Sequence, residues 1–528
     1  MAQTHLHEEL ARSKAVVAAE TQYGIIHGRR AANGVAVFLE VPYALPPTRF
    51  ADPVPLPPGF RYETKEYILE SKYAVQPKND GQARGMPFED KVGLGEPSED
   101  PLFVNIVCPP SYPAQTGFPV KVYIHGGFLQ FGSPHGLGSQ AQYIAAERSE
   151  VWVNIGYRLS AFGFLASDEP KIDGNFGFKD QWLALQWVRE NIKAFGGNPE
   201  DIQISGLSAG AHSVHQLLHH ASRLPDGVKA PFDSAIMQSN AIVTTPKTPA
   251  ELRPQFEALC RALSLDPASP TILATLRDPA QVPAPAITRA IETDALGLEH
   301  GTFRGAWEPA WLGDTDPMAW QRTGGLARGL RAHGVKSVVV GEVSEEWYLY
   351  SIAHPVASVD ELHRNLERYY RKDVVKKMLD VYLGESGGKP LGERTPEELE
   401  RLFGEVLSEG QVYLPVRLFA RDMLGAGYPM VRYAIRWTPE QLRPLDYVTH
   451  ATDRALWALR LPILKNDQSS VARSWLSAIT ENVKRAEAGD VLALKTIVVL
   501  TEDKDIREVE DTKWDEYMRL RTTLPGEA

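Results

Sequence analysis

The chain has 528 residues, of which 43% are apolar and 23% charged, and it contains only two cysteines. This composition excludes an intrinsically disordered protein, a collagen-like repeat and a disulfide scaffold, and no apolar run reaches the roughly 20 residues that a membrane-spanning helix needs. The net charge of −11 argues against nucleic acid and anionic membranes as main partners.

Short segments rich in valine and isoleucine recur along the chain and predict strands. In chain order, 24–27 and 36–41 predict an N-terminal hairpin sheet, and seven buried strands are predicted at 120–124, 151–155, 202–205, 234–237, 337–341, 430–435 and 497–500. Helical patterns separate many of them, as at 181–195. This alternation predicts an α/β fold with a large, mostly parallel central sheet and helices on both faces.

Two segments, 244–321 and 358–424, do not fit the strand pattern and are interpreted as helical excursions that cap one edge of the sheet. The stretch 505–523 predicts one amphipathic surface helix near the C-terminus. No flexible linker divides the chain.

The pattern Gly-x-Ser-x-Gly occurs twice, around Ser208 and around Ser386. The second copy follows a helical pattern and leads into Pro390, which is typical of a helix end. The first copy stands between a predicted strand and a predicted helix. That context is typical of a nucleophile elbow, although an idle serine in a tight turn stays an alternative.

A serine hydroxyl needs a base to take its proton and hydrogen-bond donors to hold the oxyanion that forms on the substrate. Strand 120–124 runs into the glycine-rich segment 125–133, HGGFLQFGS. Glycines after a strand let backbone N–H groups face a site, so this segment is a candidate donor loop. A simple glycine turn is the alternative.

Several further segments resemble one known family, the type B carboxylesterase/cholinesterase group of α/β-hydrolases. They read FLEVPYALPP at 38–47, EDPLFVN at 99–105, NIGYRLSAFGFL at 154–165, GNFGFKDQ at 174–181 and FGGNP at 195–199. The resemblance runs from about residue 21 to about residue 450, and the motifs keep the family's order up to Ser208.

The resemblance implies a catalytic triad of Ser208, Glu346 and His450, with Glu345 and Glu342 as competitors for the acid. It also implies an oxyanion hole formed by the backbone N–H groups of Gly127, Phe128 and Ala209. Gly126, Leu207 and Ser239 are expected around these groups, with Ser239 supporting the triad by hydrogen bonding. Because the three triad residues span most of the chain, residues 1–528 are interpreted as one domain.

The implied activity is that of a serine carboxylesterase (EC 3.1.1), which acts on a small-molecule ester through an acyl-enzyme and needs no metal or cofactor. A lactonase, an amidase and an acyl-transfer enzyme could use the same triad, and a non-catalytic binding protein could share the fold. The sequence does not indicate an oligomeric state.

The chain departs from the family pattern at several positions. Phe128 stands where a third loop glycine is usual, Leu207 replaces an acidic residue, and Trp347 replaces the glycine after the acid. These changes predict a neutral, fairly apolar ester as substrate and poor hydrolysis of tertiary-alcohol esters.

Pro101 stands where the family has a cysteine that forms a disulfide. Together with the absence of an Asn-x-Ser/Thr motif and of an N-terminal signal-like segment, this predicts a cytoplasmic protein.

Overall fold

The structure of the chain is a computed structural model that describes residues 4–78, 87–385 and 389–527. Strands in these residues are β1 (Val16–Thr21), β2 (Gly24–Arg30), β3 (Ala36–Pro42), β4 (Lys72–Ala74), β5 (Glu96–Ser98), β6 (Phe103–Cys108), β7 (Phe118–Ile124), β8 (Val151–Ile155), β9 (Gly197–Leu207), β10 (Ser234–Gln238), β11 (Ser337–Val343), β12 (Met430–Ile435), β13 (Thr496–Leu500) and β14 (Ile506–Glu510).

The α-helices alternate with the later strands. They are α1 (Leu6–Arg12), α2 (Phe88–Val92), α3 (Gln142–Arg148), α4 (Ser160–Phe164), α5 (Phe176–Asn191), α6 (Ala209–Ala221), α7 (Pro249–Ala262), α8 (Ile272–Arg277), α9 (Ala284–Glu292), α10 (Pro309–Leu312), α11 (Pro317–Arg322), α12 (Gly325–Ala332), α13 (Trp347–Ser351), α14 (Val359–Glu367), α15 (Lys372–Glu385), α16 (Pro396–Ser408), α17 (Leu414–Gly425), α18 (Arg454–Trp457), α19 (Asn466–Glu487) and α20 (Trp514–Tyr517).

Twelve strands form one sheet in the order β1-β2-β3-β6-β8-β7-β9-β10-β11-β12-β13-β14. The seven strands from β8 to β13 in this order are parallel, and antiparallel strands flank them on both sides. All seven predicted buried strands are present, with every end within five residues of the predicted one. The predicted fold, a large and mostly parallel sheet with helices, is confirmed.

Alternate residues of the central strands enter two apolar cores, one on each face of the sheet. Val338 and Val340 of β11 belong to the core that contains α5 and α6, whereas Val339 belongs to the core that contains α18 and α19. This two-sided burial explains why the parallel strands have almost continuous apolar sequences.

The prediction of one surface helix at 505–523 is wrong. Instead of one helix, this stretch forms β14, which pairs antiparallel with β13, then α20 and a 3₁₀ turn at Arg519–Thr523. Its alternating charges resemble the outer face of a surface helix, but they suit an edge strand equally well. Pairing with β13 decides between the two.

The two predicted excursions lie between consecutive strands of the parallel part of the sheet. Helices α7 to α12 connect β10 with β11, and helices α13 to α17 connect β11 with β12.

Cys108 and Cys260 are both buried, and neither forms a disulfide. No helix in the described part of the chain has an apolar segment long enough to cross a bilayer.

Candidate active site

Ser208 occupies the sharp turn between β9 and α6. Its backbone has φ 61° and ψ −127°, which is left-handed space that residues other than glycine seldom adopt. A Cβ at Gly206 would lie 2.3 Å from the backbone of Gly210, and one at Gly210 would lie 2.2 Å from the carbonyl oxygen of Ile124. Both flanking residues must therefore be glycine for the turn to close as tightly as it does.

Backbone hydrogen bonds continue past the strand ends and align the residues that follow them. The Ser208 N–H donates to the Gln238 carbonyl at 2.8 Å, and the Ser239 N–H donates to the Gly341 carbonyl at 2.9 Å. The ends of β9, β10 and β11 therefore lie side by side at the carboxyl edge of the sheet. Ser239 is fully buried there, and its hydroxyl has no hydrogen-bond partner among the described residues.

His450 and Glu346 form the closest ionisable contact at this edge. Nδ1 of His450 lies 2.5 Å from Oε2 of Glu346, and both side chains are buried. The other carboxylate oxygen accepts the Val343 N–H at 3.1 Å, so the carboxylate is held between the imidazole and the end of β11. Nε2 of His450 has no hydrogen-bond partner within the described residues, and a bond to Ser208 is not formed in this arrangement.

The two competing glutamates have other partners. Glu342 makes a two-pronged ion pair with the buried Arg417, at 2.8 and 2.9 Å. Burial raises the pKa of Glu342. Glu345 accepts the Val448 N–H at 2.6 Å, and its own N–H donates to the Val448 carbonyl, which ties down the loop that carries His450. Of the three acids named from the sequence, only Glu346 contacts His450.

Tyr413 is a site residue that the sequence did not indicate. It lies in a π-helical turn, Glu409–Tyr413. Its hydroxyl donates to the Ser344 carbonyl at 2.8 Å and accepts the Glu346 N–H at 3.1 Å. Tyr413 therefore anchors the backbone of the acidic loop. No local pattern could have revealed this contact, because it joins two segments that are distant in sequence.

The predicted oxyanion loop lies directly beside Ser208. Gly127, Phe128 and Leu129 all have positive φ, and a Cβ at Gly126 would lie 3.0 Å from the Cβ of Ser208. In the described structure, the N–H groups of Gly127, Phe128 and Ala209 donate no hydrogen bond. Three free backbone donors around the serine are what an oxyanion hole requires.

A small pocket opens at Ser208 and is called the serine pocket here. Its volume is about 10 Å³, and it is lined by Phe128, Leu129, Ser208, Ala209, His212, Asn240, Arg304, Tyr350 and Gln411. The Phe128 ring packs edge-on against Tyr350, with centroids 6.1 Å apart. Trp347 is partly buried, its ring stacks on Arg401, and it does not line this pocket, so it adds no bulk there.

We expect Phe128→Gly to accelerate hydrolysis of a tert-butyl ester at least tenfold relative to p-nitrophenyl butyrate. Removal of the ring enlarges the space at Ser208 into which the bulky tert-butoxy group must fit, and glycine tolerates the backbone φ of 56° without strain. The lost packing should lower the free energy of unfolding by about 2–4 kcal/mol. Rates on both esters measure the effect. Phe131→Ala is the control, because its ring lies outside the serine pocket, and an equal gain there would contradict the prediction.

Asp453 is fully buried three residues after His450. Burial, together with the Glu346 carboxylate, raises the pKa of Asp453 to about 6. Its carboxylate accepts the Trp457 indole N–H at 3.0 Å. The folded protein therefore binds a proton here at a pH where the unfolded chain has released it, and stability falls as the pH rises through this range.

Asp453→Asn should remove this pH dependence. Between pH 4.5 and pH 7 we expect the variant to gain about 2 kcal/mol of unfolding free energy relative to wild type, because asparagine does not titrate. Urea unfolding at both pH values measures the difference. A constant difference between the two proteins would contradict the shifted pKa of Asp453.

A second, larger cavity adjoins the serine pocket and is called the outer cavity here. It has a volume of about 230 Å³ and is lined by residues of the segments 241–255, 299–305 and 367–372, together with His212 and Gln411. His212, Arg304 and Gln411 line both spaces. Of these, His212 could have been predicted, because it lies one helical turn after Ser208. Arg304 and Gln411 come from the two excursions.

Ser386, in the second Gly-x-Ser-x-Gly copy, lies outside the described residues.

Comparison with known proteins agrees with this geometry. The Carboxylesterase family matches residues 14–484. The chain is 30% identical to an uncharacterised esterase/lipase of Schizosaccharomyces pombe, covering 93% of this chain and 92% of that protein. It is 28% identical to the para-nitrobenzyl esterase of Bacillus subtilis, over 88% of this chain and 86% of that enzyme.

A solved PNB esterase structure superposes with a TM-score of 0.73 at 25% identity, covering 95% of this chain and 99% of that one. The family match spans far more than half of the sequence, and relatives and fold neighbours agree with it. The chain therefore belongs to the carboxylesterase family, has the α/β-hydrolase fold and is a carboxylic ester hydrolase.

Proposed function

We propose that the protein is a serine carboxylesterase in which Ser208 is the nucleophile, His450 the general base and Glu346 the acid that orients it. The observation that carries this proposal is the buried Glu346–His450 hydrogen bond at the sheet edge where the strained Ser208 turn ends. Bonding at Nδ1 leaves Nε2 as the nitrogen that can take a proton from serine.

In the proposed reaction, Ser208 Oγ attacks the ester carbonyl carbon while His450 Nε2 takes the hydroxyl proton. The N–H groups of Gly127, Phe128 and Ala209 hold the oxyanion. The tetrahedral intermediate then collapses, the alcohol leaves with the proton from His450, and an acyl-enzyme remains. Water, deprotonated by His450, then attacks the acyl group, and the acid is released as His450 returns the proton to Ser208 Oγ. The ester and one water thus become one acid and one alcohol.

The mechanism requires a Ser208–His450 hydrogen bond, which this arrangement lacks. Catalytic hydrogen bonds are often long before substrate binds and tighten in the reacting complex. Nε2 of His450 has no competing partner among the described residues, so it is available to accept this bond.

The surroundings of the serine support an uncharged, apolar group at the reacting end of the substrate. Phe128, Leu129 and Tyr350 line the serine pocket, and Leu207 before the nucleophile carries no negative charge that would attract a cation. We expect hydrolysis of p-nitrophenyl butyrate to be much faster than that of a choline ester or a tert-butyl ester. Preference for the choline ester would contradict this substrate class.

The direct test of the proposed mechanism is covalent labelling with a serine-directed phosphonate, followed by intact-mass measurement and peptide mapping. We expect one adduct per chain, located on Ser208. Absence of an adduct on active protein would contradict the proposal. Lactones, amides and alternative acyl acceptors tested under the same conditions would distinguish ester hydrolysis from the other reactions that this triad could perform.

A further inference from the structure

Arg304 lies between the serine pocket and the outer cavity, and it is a cation that has no carboxylate partner among the described residues. It forms no ion pair with any described carboxylate, and its closest polar contact is a long one, 3.4 Å from Nη2 to Oε1 of Gln411. The guanidinium lies over the ring of Tyr369, 5.2 Å from its centroid. Burial lowers the pKa of Arg304. A desolvated, unpaired charge destabilises the fold unless a bound group compensates it.

The backbone that carries Arg304 is fixed on both sides by side-chain amides. Gln130, in the oxyanion loop, accepts the Phe303 N–H at 3.0 Å and donates to the Phe303 carbonyl at 2.6 Å. Asn175 bonds in the same two-way manner to Ala306, at 2.9 and 3.0 Å. Arg304 is therefore held in a fixed position relative to the loop that surrounds the nucleophile.

The outer cavity is basic although the protein as a whole is acidic. Five cationic side chains line it against three carboxylates: Lys247, Arg304, Arg368, Arg371 and Lys372 against Glu251, Glu299 and Glu367. Arg371 is paired with Glu251, and Arg368 with Asp294. Lys247 forms no ion pair with a described carboxylate. Burial and the neighbouring guanidiniums, that of Arg304 among them, lower the pKa of Lys247.

Such a cavity favours an anion beside an ester-hydrolysing serine. A planar guanidinium matches a carboxylate, with which it forms two parallel charge-assisted hydrogen bonds. We propose that the substrate is an ester that also carries a free carboxylate, bound by Arg304 in the outer cavity while its uncharged ester group lies at Ser208. This inference rests on the proposed function and narrows its substrate class. The expectation that the ester end of the substrate is uncharged and apolar is kept.

Matched substrate pairs test the proposal. Monomethyl esters of succinic, adipic and suberic acid are each compared with the ester in which a carboxamide replaces the free carboxylate. 6-Acetoxyhexanoate and its carboxamide cover a carboxylate on the alcohol side. For the best-fitting pair, we expect kcat/KM to be at least tenfold higher for the carboxylate form. In Arg304→Gln the ratio should fall to about one, and Arg304→Lys should retain part of it.

The control variant is Arg331→Gln. Arg331 also stacks over a tyrosine ring, that of Tyr428, but it is exposed and lines neither space. Its substrate ratio should equal that of wild type. Thermal unfolding of each variant checks that the fold is retained, and p-nitrophenyl butyrate should be hydrolysed by Arg331→Gln within about threefold of the wild-type rate.

The outcomes separate the two proposals. If wild type hydrolyses p-nitrophenyl butyrate but prefers the carboxylate form in no pair, the carboxylate inference is wrong and the esterase mechanism stands. A preference that survives in Arg304→Gln but disappears in Lys247→Gln would overturn the assignment to Arg304. If Ser208 is not labelled by the phosphonate and no ester is hydrolysed, the proposed function itself fails.

Discussion

Replacement of Ser208 by alanine should lower kcat on p-nitrophenyl butyrate by at least about 10⁴-fold, because no acyl-enzyme can form without the hydroxyl. Alanine removes one oxygen atom, so packing around the buried turn should change little. The strained backbone, φ 61° and ψ −127°, is as unfavourable for alanine as for serine, and stability should be nearly unchanged. KM should also stay close to wild type.

The matched control is Ser386→Ala, in the second Gly-x-Ser-x-Gly copy. It should keep full activity and full phosphonate labelling, whereas Ser208→Ala should lose both. Loss of labelling in Ser386→Ala, with retention in Ser208→Ala, would show that the nucleophile has been assigned to the wrong serine. A fall in activity of less than tenfold in Ser208→Ala would exclude covalent catalysis by this residue.

Glu346→Gln should lower kcat by about 10⁴-fold with little change in KM. In the proposed mechanism, the carboxylate accepts a hydrogen bond from Nδ1–H of His450 and stabilises the imidazolium that forms when serine is deprotonated. An amide that turns its NH2 group toward Nδ1 would instead hold the proton on Nε2, so the imidazole could no longer act as the base. The bond to the Val343 N–H can be kept by the amide oxygen, so the fold should survive.

Glu345→Gln is the control for this change. Glu345 is the neighbouring acid, and its only described side-chain bond is to the Val448 N–H, which a glutamine oxygen can also accept. We expect less than a tenfold loss of kcat. A larger loss in Glu345→Gln than in Glu346→Gln would assign the catalytic acid to the other glutamate. Near-ultraviolet circular dichroism of both variants checks that the loop is folded.

The sequence predicted the features that depend on neighbouring residues. The buried strands were predicted because a parallel strand covered on both faces is apolar along its whole length. The Ser208 turn was predicted because strand, glycines and helix follow one another within a few residues. In contrast, the C-terminal stretch 505–523 was mistaken for a helix, because its alternating charges suit two structures equally well.

The turn at Ser208 and the glycine-rich loop before it were thus predicted from local patterns, whereas Glu346 and His450 were proposed from the family resemblance. The tertiary structure decided which glutamate reaches His450, which side chain anchors that glutamate, and which charge stands beside the nucleophile. Glu342, Glu345 and Glu346 are equivalent as a local pattern, but only Glu346 lies 2.5 Å from His450. Tyr413 and Arg304 reach the site from the excursions. Their roles come from contacts between segments far apart in sequence, which exist only after the sheet has brought those segments together.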